Sequence, residues 1–213
     1  MINRSFLLTL INECDYLEPV MGYAQKSIAF ILPDEYLALE ERATIKHKYL
    51  NGVIYAWQGR QAMAGQAMAG GTVAHNKTCL NITSLRHQLH GKPCTTLMAD
   101  VRLELAERTA YFYPDVMVTC SSADQARNDG VSEPCLVVEV LSDSTAFFDR
   151  GDKFETYKKL ASLQTYVLVS AERKTMEVFT RGGHWQLQTA VDGAVQLGVM
   201  GLVLNTSEVF DRV

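Results

Sequence analysis

Residues Leu136-Val137-Val138-Glu139-Val140-Leu141 form a short apolar run with one carboxylate set inside it. A run of this kind belongs to a strand buried on both faces, as happens where helices flank a sheet. It therefore points to an α/β domain built on a mixed sheet flanked by helices. It also poses an energetic problem. Ionised Glu139 would cost several kcal/mol in such surroundings unless a cation or hydrogen-bond donors meet it. A buried Lys, a buried Arg or backbone amides would answer that need as well as a metal ion, and this run alone does not choose between them.

Two further features bear on the choice. Asp115 follows Pro114 at the mouth of another apolar strand, Tyr113-Pro114-Asp115-Val116-Met117-Val118. Downstream, helical spacing places Asp149, Lys153 and Tyr157 on one stripe, with Phe154, Leu160 and Ala161 beside it. The core-facing side of that helix thus carries a lysine and a tyrosine. A lysine whose stem only covers apolar surface is the common alternative, less so where acidic strand ends precede it. An Asp, a Glu and a Lys converging at one end of a mixed sheet suit metal-assisted hydrolysis. Two hard oxygen ligands can hold Mg²⁺ with waters and a substrate phosphate. A nearby ammonium can orient the nucleophilic water or stabilise the developing oxyanion.

The remaining pattern supplies the frame. Pro33-Asp34-Glu35 leading into Tyr36–Glu41 predicts a helix capped near Asp34. Asn51-Gly52 between apolar runs predicts a tight hairpin. Gln61-Ala62-Met63-Ala64-Gly65 is repeated at once as Gln66–Gly70, which reads either as a lengthened loop or as a flap over a site. Thr72–His90 predicts one long helix, with His75, Cys79, Ile82, Leu85 and Leu89 on one face and Gly91 as its stop. Val101–Leu105 alternates as a half-buried strand. Asp149–Ala161 predicts a second helix and Tyr166–Val169 a buried strand. Met176–Thr180 and Trp185–Gln188 form a hairpin through Gly182-Gly183.

At 213 residues the chain is one domain, expected over residues 31–213, with residues 1–30 as an extension. Acidic residues outnumber basic ones 24 to 20, which excludes a bulk-basic nucleic-acid clamp and leaves only a local patch for phosphates. The five cysteines (Cys14, Cys79, Cys94, Cys120, Cys135) are widely spaced, with no CxxC pair. That argues against a zinc site or a disulfide framework and for a reducing, cytoplasmic setting. No run approaches 18 apolar residues, so no membrane span is expected. Gly-rich phosphate cradles, HExxH and GxSxG are absent.

Taken in order, Tyr113-Pro114-Asp115, then Leu136–Leu141 running into Ser142-Asp143-Ser144-Thr145, then Asp149, Lys153 and Tyr157 resemble the Uma-two family of endonucleases. That family lies in the PD-(D/E)XK, restriction-endonuclease-like superfamily. The resemblance extends through Tyr36–Glu41, Asn51–Tyr55, Gly70-Gly71 with His75, and Asp100-Val101-Arg102, covering roughly residues 30–210. It implies a restriction-endonuclease-like core and Mg²⁺-dependent (or Mn²⁺-dependent) cleavage of phosphodiester bonds in nucleic acid, DNA being the expected substrate. A homodimer is the expected assembly. Asp115 and Glu139 would hold the metal with the Val140 carbonyl, Lys153 would position the water, and His75 and Tyr157 would line the site.

Two departures stand out. The superfamily's strand lysine is replaced by Leu141, its role moving to Lys153. Lys48 stands where the family has a glutamate before the first hairpin, leaving the acidic cluster one ligand short. Glu40 or Glu41 would have to substitute from a different helix face. The competing reading is a catalytically idle homodimeric module of the same fold that binds nucleic acid or protein.

Overall fold

The computed structural model describes residues 30–56, 72–143 and 145–213. The expected N-terminal extension, apart from Phe30, and the duplicated Gln61–Gly70 segment lie outside them. Helix α1 (Pro33–Glu40) starts with Pro at its first position, where the missing N–H costs nothing. Its cap is Leu32, two residues before Asp34: the Glu35 carboxylate accepts the Leu32 N–H at 2.9 Å. Strands β1 (His47–Leu50) and β2 (Val53–Ala56) form the expected hairpin. Asn51 (φ 48°) and Gly52 (φ 86°) both take the left-handed conformation that such a two-residue turn requires.

The long helix expected over 72–90 is two helices, α2 (Val73–Ile82) and α3 (Leu85–Gln88). At the break the Thr83 hydroxyl donates to the Leu80 carbonyl at 2.6 Å, and Ser84 and Arg86 bond back three residues rather than four. Across this tightened turn Cys79, Ile82, Leu85 and Leu89 still share the core. Gly91 (φ 76°) ends the segment as its sequence suggests.

The strands that follow are β3 (Thr95–Met98), β4 (Leu103–Glu104), β5 (Ala110–Phe112) and β6 (Val116–Thr119). The half-buried strand expected over Val101–Leu105 is thus limited to its centre. After α4 (Ser122–Gln125) come β7 (Pro134–Val140), α5 (Ala146–Arg150), α6 (Asp152–Tyr157) and β8 (Thr165–Ser170). The helix expected over Asp149–Ala161 is interrupted, because Gly151 adopts φ −102° and ψ −109° between α5 and α6. The expected hairpin is β9 (Thr175–Thr180) and β10 (Leu187–Ala190), and β11 (Ala194–Gln196), β12 (Val203–Asn205) and α7 (Thr206–Val209) complete the chain.

A six-stranded sheet ordered β10-β9-β8-β7-β6-β3 forms the centre, with β7 and β8 parallel and the other neighbours antiparallel. A four-stranded antiparallel sheet, β2-β1-β5-β4, and the β11–β12 pair accompany it. Val116, Val118, Leu136, Val138 and Val140 pack with α2 and α3 on one face. Met117, Val137, Tyr166 and Leu168 pack with Phe154 and Tyr157 of α6 on the other. Strand alternation puts Glu139 on this second face. The β6–β7 register, continued one step past Val116↔Val138, sets Asp115 opposite Glu139.

One cysteine expectation is overturned. Cys94 and Cys120 form a disulfide, and Cys135 carries a free thiol 3.7 Å from the Cys120 sulfur. The cause is register: Thr95 pairs with Thr119, so the residues just outside that pair face each other. Linear spacing carries no trace of this juxtaposition, and the cysteine argument for a reducing compartment falls with it. No helix among the described residues is long and apolar enough to cross a membrane.

Candidate active site

Glu139 sits in β7 with 3% of its surface exposed, the desolvation its sequence context demands. The Lys153 ammonium answers it at 2.7 Å, and the Tyr157 hydroxyl donates to the same carboxylate oxygen at 2.9 Å. Lys153 also donates to Asp149 at 3.0 Å. Burial pushes the Glu139 carboxyl up to about 7, partly offset by Lys153. For Lys153, burial pulls the pKa down, but Glu139 and Asp149 together outweigh it and hold the amine above its ordinary range. The lysine stays charged because two carboxylates share it.

Asp115 lies at the entrance of β6, just after Pro114, and its backbone carbonyl accepts the Ala99 N–H at 3.0 Å. One of its carboxylate oxygens accepts the Val140 N–H at 2.7 Å, tying the two strand ends together. The same oxygen lies 3.4 Å from His75 Nε2 on α2. The hydrogen bond to Asp115 raises the His75 pKa against the opposing effect of burial, and the Val140 carbonyl adds to that rise. His75 therefore faces two of the three oxygen groups expected to serve a metal, Asp115 and the Val140 carbonyl.

Glu40 takes no part. Its carboxylate accepts the His47 N–H and the Tyr113 hydroxyl, each at 2.9 Å, and pairs with the His47 ring at 3.0 Å. It braces α1 against β1 instead of replacing a ligand. Lys48, by contrast, is buried with its ammonium 5.3 Å from the centre of the Phe148 ring, and burial and then Lys153 lower its pKa against Asp149, Glu139 and Asp115. Asp149 is the residue whose role the sequence reading left unassigned. Its spacing of four from Lys153 was the available signal, since that spacing allows direct contact on a helix.

The residues here offer two kinds of donor. His75, Cys79 and Asp115 offer ligand atoms within 4.8 Å of one another, a set that a softer ion would favour. The Cys79 thiol is pushed up, however, first by burial and then by Asp115 and Glu139. The carboxylates of Asp115 and Glu139, with the Val140 carbonyl, are hard donors of the type that Mg²⁺ or Mn²⁺ takes.

Known proteins share the family and the fold. A family model described as "Uma2: Putative restriction endonuclease" matches residues 33–207. The uncharacterised protein slr1290 of Synechocystis sp. is 36% identical over 156 residues, spanning 72% of this chain and 76% of that protein. A second uncharacterised Synechocystis protein, sll1609, is 33% identical over 155 residues, spanning 71% of this chain and 81% of its own. In fold, the chain is similar to the crystal structure of "a putative nuclease belonging to DUF820" from Anabaena variabilis. The TM-score is 0.63 at 18% identity, covering 84% of this chain and 97% of that one.

Proposed function

The chain belongs to the Uma2 family, and from that premise we propose that it is a metal-dependent endonuclease hydrolysing phosphodiester bonds of nucleic acid, with DNA as substrate. The observation that carries this reading is the Lys153 ammonium, buried 2.7 Å from Glu139 while Asp115 lies opposite Glu139 across the strand ladder. Asp115, Glu139 and the Val140 carbonyl would hold Mg²⁺ or Mn²⁺. Such an ion, when bound, lowers the pKa of a water and neutralises charge on the scissile phosphate.

The remaining work falls to side chains. An ammonium has three N–H donors, and Glu139 and Asp149 engage Lys153 on one side. Its remaining donor capacity is available to orient the attacking water or to stabilise the developing oxyanion. Tyr157 fixes the Glu139 carboxylate, and Val140 N–H fixes that of Asp115. His75, beside Asp115, is the group placed to take up a proton at the site's edge. A homodimer and a cytoplasmic setting are proposed alongside this reading, the homodimer resting on the family resemblance.

Calorimetry with Mg²⁺ or Mn²⁺ should show binding to the wild type that Asp115→Asn and Glu139→Gln both abolish. Cleavage of mixed DNA and RNA substrates should require the ion and disappear in Asp115→Ala. Lys48 favours a second reading, the catalytically idle module, which expects neither ion binding nor cleavage in the wild type.

A further inference from the structure

Three cysteines converge at the end of the central sheet away from Asp115 and Glu139. Strand β6 lies between β3 and β7, so Cys120, just past its end, has a neighbour on each side. On the β3 side is Cys94, bonded to it. On the β7 side is Cys135, placed by an irregularity in the ladder. Val118 pairs with Leu136 but Thr119 pairs with Pro134, so Cys135 is an extra residue on β7. Such a bulge re-aims the side chain of its unpaired residue. The Cys135 carbonyl still accepts the Gln164 N–H at 2.9 Å, which anchors its backbone beside β8. Its thiol donates to the Val118 carbonyl at 3.3 Å, and its sulfur lies 3.7 Å from that of Cys120. Cys79, the other free thiol among the described residues, lies instead 3.5 Å from a ring nitrogen of His75.

We propose that these residues form a thiol–disulfide exchange site, in which one disulfide moves between Cys94–Cys120 and Cys120–Cys135. The Cys135 thiol gives its proton to water, and the thiolate attacks the Cys120 sulfur. A Cys120–Cys135 bond forms as the Cys94–Cys120 bond breaks. The electron pair leaves on Cys94, which takes up a proton. Cys135 is oxidised and Cys94 reduced, so the exchange balances within the chain. Adjacent strands hold facing residues about 4.5–5.5 Å apart at Cα, inside the span that a disulfide bridges. Burial pushes the Cys135 thiol up to about 11. Little thiolate is therefore present at neutral pH, and exchange is slow enough for acid to trap either pairing. The exchange carries the cross-link from the edge strand β3 to the β6–β7 pair, and it releases Cys94 as a thiol at the margin of the sheet.

The test is a thiol map of the oxidised full-length chain, with neither metal nor nucleic acid present, so its outcome is independent of the proposed hydrolysis. The protein is held at about pH 8 to allow exchange, quenched in acid, labelled there with N-ethylmaleimide, and mapped by peptic digestion and mass spectrometry. Label should be shared between Cys94 and Cys135, one per chain in total, with Cys120 unlabelled. Cys135→Ser should leave Cys94 unlabelled as well. Cys94→Ser, oxidised in the same way, should close Cys120–Cys135 instead. Label on wild-type Cys120, or none on wild-type Cys94, would overturn the inference. So would labelled Cys94 in Cys135→Ser, which would mean that some other thiol drives the exchange, or two free thiols at Cys120 and Cys135 in folded Cys94→Ser. If Cys94→Ser fails to fold, the maps of wild type and Cys135→Ser decide.

Discussion

The Lys153 ammonium and the Asp149 carboxylate meet at 3.0 Å across Gly151, so their pairing joins two short helices rather than two turns of one. Glu139 completes the arrangement from the sheet, 2.7 Å from the same nitrogen. Replacing such a buried set by apolar groups can be neutral, but removing one member leaves an uncompensated charge.

Lys153→Met should therefore cost about 3–5 kcal/mol of stability in the metal-free protein at mildly alkaline pH. The loss should shrink in acid. Glu139 already titrates at about 7 in the folded chain, above its ordinary 4.5, so the folded state holds that proton more tightly and stability falls as pH rises between the two values. Without Lys153 the carboxyl rises further, and acid neutralises it. Urea denaturation at about pH 5.5 and about pH 8 checks this, and equal losses at both would refute the coupling. On the proposed chemistry, turnover should drop by roughly 10²–10³-fold. Lys153→Arg should recover little, because a planar guanidinium does not replace a compact ammonium.

His75 offers a direct reading of the Asp115 contact. The carboxylate 3.4 Å away raises the imidazole pKa above its ordinary 6.5. A histidine raised on folding contributes stability that is complete below the unfolded value and is lost as pH climbs through the folded one. In metal-free protein, an NMR titration of His75 should show a midpoint above 6.5, and Asp115→Asn should bring it down. An unchanged midpoint in the variant would mean that Asp115 does not meet the ring in solution.

Tyr157→Phe removes the hydroxyl donor to Glu139 but keeps the ring packed against Phe112 and Tyr166, 5.6 and 5.4 Å between centroids. The expected cost is about 1 kcal/mol. Having lost a donor to its charged form, Glu139 should titrate higher still. Metal affinity should then weaken near neutral pH and recover in alkali, where the carboxyl is ionised anyway. Calorimetry across that range tests it, and a deficit independent of pH would count against the hydrogen bond.

The Cys94–Cys120 disulfide closes a loop of 26 residues, and removing it should cost about 3 kcal/mol. Reductant should lower the thermal midpoint of the wild type and leave that of Cys120→Ala unchanged. A wild-type midpoint insensitive to reductant, with two thiols more than expected by mass, would show that the bridge does not form.

Much of this site was legible because burial of a charge is visible in sequence. Glu139 amid Val and Leu announced a desolvated carboxylate, Pro114-Asp115 marked a strand entrance, and the four-residue steps of Asp149, Lys153 and Tyr157 placed a cation beneath them. Breaks in the helices were less legible, because Thr83-Ser84 and Gly151 interrupt apolar periodicities that continue on either side of them. The Lys153 contact to Asp149 depends on how α5 and α6 meet at that interruption. The disulfide and the burial of Lys48 were hidden for a common reason: each depends on which strand lies beside which.

Among the described strands only β7 and β8 run parallel, and the crossover between them carries both Asp149 and Lys153. Asp115 and Glu139 are drawn together by an antiparallel ladder that needs nothing beyond β7. Their cation is fixed only once β8 docks and clamps α6 through Tyr166. During synthesis, then, a nascent chain ending before Thr165 can display two mutually repelling acids but no settled lysine, and parallel closure of this kind is a slow step of folding. On the proposed chemistry, an unfinished molecule is an inert one: cutting ability arrives with the parallel pairing of β7 and β8, and the nucleic acid around the ribosome never meets a half-built blade.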